Sequence, residues 1–298
     1  GSYVPATGQT SQTDCALGTY QSATGQNSCD DADAGSYVPA TGQSSQTACA
    51  EGTYQVDTGQ DSCDDADAGS YVPATGQSTQ SACLAGTYQV DTGQSDCDDA
   101  SAGNYVPTTG QSNQTVCATG TYQSLTAQSD CDDADAGSYV PTTGQTSQTA
   151  CAVGTFQVET GQDSCDDAES GNYVDQTGQS SQTACLAGTY NPNAGSTRSV
   201  DCLESIVGYY VPTSGQSSQT ACSAGTYQPD TGQDDCDAAG LGYYAPTTGQ
   251  SSQTACAVGT YQDTAGQISC DNADAGSYVD QTGQSSQTAC AEGTYQAP

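Results

Sequence analysis

Cys29-DDADA-GSYVPATGQSSQTA-Cys49-AE-GTYQVDTGQDS-Cys63 decides how this chain folds. Shifted by 34 residues, the stretch falls on itself, so a repeat must be explained before any site. Glycines opening the longer half recur at Gly1, Gly35, Gly69, Gly103, Gly137 and Gly171 and, after a three-residue insertion, at Gly208, Gly242 and Gly276. Each 34-residue unit says one phrase twice, a long form (GSYVPATGQSSQTAC) and a short form (GTYQVDTGQDSC). Tyrosines therefore recur every 17 residues at Tyr3, Tyr20, Tyr37, Tyr54 and Tyr71, with Phe156 substituting once.

Working outward, the phrase reads as a small hairpin. Ser2 to Val4 is a short extended run ended by Pro5, and Thr7-Gly8 is a turn where glycine supplies a positive φ. Ser11 to Cys15 is expected to return beside it, and the short form repeats this from Gly18 to Cys29 with its turn at Thr24-Gly25. No helical period and no helix caps interrupt the pattern. The expectation is an all-β, disulfide-rich fold: a linear, solenoid-like array of irregular β-hairpins forming an elongated rod, one tandem array over residues 1–298 with an irregular unit at 186–207. Tyrosine is expected to be each repeat's small core, its ring over a neighbouring disulfide or proline.

Composition narrows the function classes. The 298 residues carry a formal charge of −34 and few large aliphatic side chains, which alone would signify disorder. The 17 regularly spaced cysteines supply an order that so poor a core does not, as in small secreted modules, and point to an oxidising, extracellular setting. With no His and no Cys-x2-Cys pair, a zinc protein is disfavoured. Lys+Arg is 1, the residue being Arg198, which removes an electrostatic grip on nucleic acid or anionic lipid. No run of apolar residues is long enough for membrane insertion as a helix. The chain opens on Gly without a signal peptide and is expected to be a mature or internal segment of a longer precursor. An enzyme is not expected, because paired carboxylates recur along the array instead of converging on one pocket.

Cys15-Ala-Leu-Gly18-Thr-Tyr20 followed by Cys29, and Cys49-Ala-Glu-Gly52-Thr-Tyr54 followed by Cys63, resemble the Cys-x2-Gly-x-Tyr modules of ephrin-receptor-like cysteine-rich repeats. They are more distantly similar to TNF-receptor modules. The short halves match; the long halves carry Asp-Asp-Ala-Asp-Ala where that family has a further cysteine. The resemblance implies bonds that clasp each hairpin: Cys15/Cys29, Cys49/Cys63, Cys83/Cys97, Cys117/Cys131, Cys151/Cys165, Cys185/Cys202, Cys222/Cys236 and Cys256/Cys270, with Cys290 left over. The opposite phase, Cys29/Cys49 through Cys270/Cys290, leaves Cys15 instead and remains open. Closing a loop of roughly 15 residues restricts the unfolded chain by about 3 kcal/mol in the loop-entropy model, so reduction is expected to unfold the protein.

Three sets of residues are candidates for function. The acidic linkers Asp30/Asp31/Asp33, Asp64/Asp65/Asp67, Asp132/Asp133/Asp135, Asp166/Asp167 with Glu169, and Asp271/Asp274 cluster hard oxygen donors that suit Ca²⁺, although they lack the spacing of an EF-hand loop. Their alternative reading is a solvated spacer. Asn113-Gln-Thr115 is an N-glycosylation sequon, and Ser/Thr-rich segments offer O-glycan positions. Gln296 to Pro298 ends halfway through a phrase, so either the polypeptide continues or a second copy completes the half-hairpin, with Cys290 available for an intermolecular bond, in a head-to-tail polymer. The irregular unit is expected to be a longer hairpin tip, with Arg198 paired to Asp201 or Glu204 and Ile206/Val207 covering a neighbour. The expected role is a structural subunit of an extracellular filament, stalk or surface layer; the alternative is a receptor- or adhesin-type ectodomain presenting a ligand surface.

Overall fold

The structure is a computed structural model that describes residues 1–294; Tyr295 and the Gln296 to Pro298 half-phrase lie outside the described residues. Among the described residues it contains seventeen two-stranded antiparallel sheets, each a hairpin of sequence neighbours. Strands are two residues long, and Gly-x-Tyr supplies the first of each pair. Ser2–Tyr3 pairs with Thr13–Asp14, and Thr19–Tyr20 with Asp30–Asp31, in one register: Ser2 faces Asp14 and Thr19 faces Asp31. This corrects the placement of the short hairpin. Its return strand lies beyond Cys29, so the Asp-Asp pairs are strand residues and not linkers. The reason is that the backbone repeats every 17 residues, whereas cysteine sits at different points of the long and short phrases.

Two-residue strands do not stand alone in water, and hairpins this small gain stability only from neighbours. In the hairpin spanning 52–68 the ladder is extended by Ala66 N–H donating to Gly52 O (2.8 Å). The hairpin is then tied to others by three backbone bonds. Gly52 N–H donates to Val72 O (2.8 Å) and Gln55 N–H to Gln77 O (3.2 Å), both on the following hairpin, while Gly59 N–H reaches back to Ala32 O (2.8 Å), two hairpins earlier. Polar backbone that a loop would leave to solvent is thereby paired inside the array.

The contacts divide the chain into two units. The first comprises Gly1–Asp135, Val140–Thr149 and Thr160–Asp163, the second Ala136–Tyr139, Ala150–Glu159 and Ser164–Pro298. The second repeats the bonding of the first: Gly188 N–H donates to Val211 O (2.9 Å), Asn191 N–H to Gln216 O (3.0 Å) and Gly195 N–H to Ala168 O (2.7 Å).

The buried residues are small. Val38, Val72, Val106 and Val140 in the long hairpins are fully buried, as are Cys15, Cys49, Cys83 and Cys117 at their exits and Ala66 and Ala100 at the exits of short ones. Where a long hairpin has valine, a short one has Gln21, Gln55, Gln89, Gln123, Gln157, Gln228 or Gln262, also buried. Gln55 closes its own tip, Nε2 donating to Ser62 O (3.0 Å) and Oε1 accepting from Asp57 N–H (3.0 Å). Each buried amide is satisfied in this way, as burial requires. The described tyrosines, expected as the core, are only half-buried, and Tyr278 is exposed: a phenol at the strand's edge leaves the interior to residues small enough for hairpins to approach backbone to backbone.

That approach is closest at the glycine opening each phrase from Gly1 to Gly242. A Cβ built on Gly69 (φ +84°) would lie 2.3 Å from Gly110 O, two hairpins on. Glycine is required there twice over, by the left-handed conformation and by the missing space. Gly76, in the tip of the same hairpin, has a similar φ of +75°, but its nearest neighbour would be Ala48 Cβ at 3.7 Å.

The cysteines pair Cys15–Cys29, Cys49–Cys63, Cys83–Cys97, Cys117–Cys131, Cys151–Cys165, Cys185–Cys202, Cys222–Cys236 and Cys256–Cys270. Cys83 leaves one hairpin (69–85) just after its return strand Ser81–Ala82, and Cys97 precedes the return strand Asp98–Asp99 of the next. The bond thus staples adjacent hairpins instead of clasping one. Cys290 is free and half-buried, its N–H donating to Gly276 O (2.8 Å).

Candidate functional site

The acidic residues occupy two kinds of place. In the pair Asp64–Asp65, Asp64 lies opposite Tyr54 and Asp65 opposite Thr53. Consecutive strand residues point to opposite faces, so the two carboxylates diverge. Asp65 lies against the tip of a hairpin two further on, its Cγ 3.3 Å from where a Cβ on Gly93 would stand. Asp31 sits likewise beside Gly59 and Asp133 beside Gly161. Asp30 and Asp271 receive long hydrogen bonds from Gln21 Nε2 (3.4 Å) and Gln262 Nε2 (3.5 Å). Asp132 lies opposite Tyr122 and Asp166 opposite Phe156, with Asp133 and Asp167 opposite Thr121 and Thr155.

The third acid of each set is held elsewhere, by a glutamine from the following hairpin. Asp33 N–H donates to Gln46 Oε1 and Gln46 Nε2 donates back to Asp33 Oδ2, both at 2.7 Å. The two-bond clamp recurs at Asp67 with Gln80, Asp135 with Gln148, Glu169 with Gln182 and Asp274 with Gln287. Where the acid is replaced, at Ser101, Ile206 and Gly240, the backbone half survives through Gln114, Gln219 and Gln253. The carboxylate is thus a reinforcement of a backbone-directed contact. Among the described residues no group of three or more His, Cys, Asp or Glu is arranged to hold a metal ion. Gathering Asp30, Asp31 and Asp33 on one cation would need rotation of a strand side chain and release of the Gln46 clamp.

Sequence reasoning missed this clamp. Its signal was available as a Gln standing 13 residues after each acid, visible once the phrases are aligned on tyrosine and not on cysteine.

Burial and neighbouring acids act together on Tyr54 and Tyr261. Partial burial raises the Tyr54 phenol above its ordinary value, and the carboxylates of Asp67 and Asp64 raise it further, because both oppose a phenolate.

Shallow recesses open beside the disulfides. One is lined by Tyr71, Leu84, Thr87, Cys97, Asp98 and Asp99. Its counterpart at the irregular hairpin, of about 260 Å³, is lined by Tyr173, Ala184, Leu186, Thr189, Ser199 and Cys202 and lacks carboxylates. There the return strand is Leu203–Glu204 in place of Asp-Asp, preceded by a 3-10 turn at Ser199–Asp201 that the sequence reading did not anticipate. Arg198 pairs with Asp201 (3.4 Å), whereas Glu204 accepts from Thr231 Oγ1 (3.0 Å). Ile206 and Val207 remain 50% and 43% exposed and so do not cover a neighbour as expected. Asn113 is exposed, its Nδ2 donating only to Ser112 Oγ (3.2 Å). No helix among the described residues is long and apolar enough to cross a membrane.

No protein-family model matches the chain, and no curated protein matches it.

Proposed function

We propose that this chain is a structural subunit of an extracellular filament, stalk or surface layer, with copies joined end to end. The observation that carries the reading is the uniformity of the joints. In the hairpins opening at Gly35 to Gly259 the same two backbone bonds reach the next hairpin and a third reaches two hairpins back, and from Gly1 to Gly242 the glycine opening each phrase lies against a tip carbonyl two hairpins on. A binding or catalytic site needs some repeats to differ and converge, whereas a load-bearing array gains from every joint being alike. Edges that accept the next hairpin within a chain are of the kind that accept one from another copy. Disulfides suit an oxidising exterior, and a net charge of −34 keeps subunits soluble and apart until specific contacts form. N-glycosylation at exposed Asn113 fits the same setting. The reading involves no catalysis. Ca²⁺ enters as a bridging or screening ion for the exposed Asp-Asp strands, with the Gln-bound acids left in their clamps.

The irregular hairpin favours a second reading. Its carboxylate-free recess at Tyr173 and Leu186 is the feature an ectodomain of the ephrin-receptor-like kind would use to hold a ligand. Electron microscopy of native material before and after EDTA at neutral pH separates the readings. Long uniform filaments are expected, and their loss in EDTA would assign Ca²⁺ to assembly. Isolated single chains under both conditions would overturn the structural role and leave the receptor-like one.

A further inference from the structure

One cationic side chain stands in the whole sequence, so an endoprotease that reads lysine or arginine has one peptide bond to act on, Arg198–Ser199. The fold places that bond in the only disulfide-closed loop, among the described residues, whose cysteines are 17 apart instead of 14. The Arg198 side chain is 70% exposed and meets Asp201 at 3.4 Å. Exposed pairs of this kind contribute little to stability. The tip is shaped instead by bonds that do not involve the guanidinium. Thr197 N–H and Arg198 N–H donate to Asp201 Oδ2 (3.2 and 3.0 Å), Asp201 N–H to Arg198 O (3.0 Å), and Cys202 N–H to Ser199 O (3.2 Å). Any side chain but proline's at 198 would leave these in place, so the fold does not need the cation.

Arg198 itself is extended, φ −148° and ψ 151°, and strand-like uptake by a partner requires only that the single 3-10 turn at Ser199–Asp201 beyond the bond open. Ser199 and Val200 beyond the bond are exposed. We propose that Arg198–Ser199 is a limited-proteolysis site for an arginine-specific endoprotease of the trypsin class, which converts the chain into a two-chain form. The protease supplies nucleophile and general base. Water adds across the amide, leaving a carboxylate on Arg198 and an ammonium on Ser199, with no redox change. Cys185–Cys202 spans the cut, so residues 1–198 and 199–298 stay covalently joined. Processing would thus open the one irregular hairpin without releasing either part.

The test treats the oxidised full chain, without denaturant, with catalytic trypsin. The expected result is loss of the full-length band on a reducing gel, replaced by two fragments with a new N-terminus at Ser199, while the non-reducing gel keeps one full-length species. R198Q is expected to fold with an unchanged thermal transition and to resist cleavage. An oxidised chain left intact under conditions that cut the reduced, urea-unfolded chain would overturn the proposal. So would an R198Q protein that fails to fold, since the cation would then be structural.

Discussion

Gly69 and Gly76 belong to one hairpin and share a left-handed backbone, φ +84° and +75°, but only Gly69 faces a carbonyl at a distance no side chain tolerates. Replacing each by alanine separates backbone conformation from packing. At Gly76 the left-handed penalty of about 1–2 kcal/mol is partly offset by about 0.5–1 kcal/mol from the stiffer unfolded chain. Gly76→Ala should therefore cost roughly 0.5–1 kcal/mol. At Gly69 the same net cost applies, and Gly110 O must also withdraw from a Cβ 2.3 Å away by more than an ångström. That movement strains two bonds of 2.8 Å, Gly69 N–H to Gln89 O and Gly110 N–H to Cys83 O. Each buried group left unpaired costs about 1–3 kcal/mol, so Gly69→Ala should cost about 3–7 kcal/mol in all. Urea unfolding of the oxidised protein followed by tyrosine fluorescence measures both, with amide exchange at Gly69 and Gly110 reporting local opening. Equal destabilisation by the two substitutions would refute the claim that hairpins two apart are in backbone contact.

Three further outcomes follow from named residues. Removing Cys83–Cys97 by the double change Cys83→Ser and Cys97→Ser should cost about 3 kcal/mol, read by calorimetry; an unchanged midpoint would mean that the staple constrains nothing the hydrogen bonds do not already hold. Ala127 alone among the described non-glycine residues has a positive φ, 59°, at a tip position that other repeats give to glycine. Ala127→Gly should relieve about 1–2 kcal/mol of strain, less about 0.5–1 kcal/mol of unfolded-chain entropy, giving a gain of roughly 0.5–1 kcal/mol in the urea titration. Because the folded-state value of Tyr54 is raised, the folded chain holds its proton more tightly than the unfolded chain. Its contribution is fully present below the ordinary phenol value of about 10 and is lost as pH rises from there through the raised value. Tyr54→Phe should flatten that alkaline loss, and an unchanged pH profile would show that neither burial nor the carboxylates of Asp67 and Asp64 hold this phenol protonated.

The repeat, its two 17-residue phrases and their all-β character were legible because they rest on local chemistry. Two-residue Thr-Tyr or Ser-Tyr strands, a Thr-Gly turn and the absence of helical period need only neighbours in sequence. The candidate site was legible only as composition: the acids were visible, but their roles were not. Asp64 and Asp65 look like a linker when the phrases are aligned on cysteine, and they become a strand only when paired to Thr53 and Tyr54. Asp67 looks like a cation ligand until Gln80 is seen to hold it. The choice between two disulfide phases, the burial of Val72 and Gln55 ahead of the tyrosines, and the contact of Gly69 with Gly110 were decided by tertiary structure alone. The physical reason is one of range. A hairpin's shape is set within 17 residues, but which cysteine it meets, which side chain it buries and where only glycine fits depend on how it stacks on hairpins one and two places away.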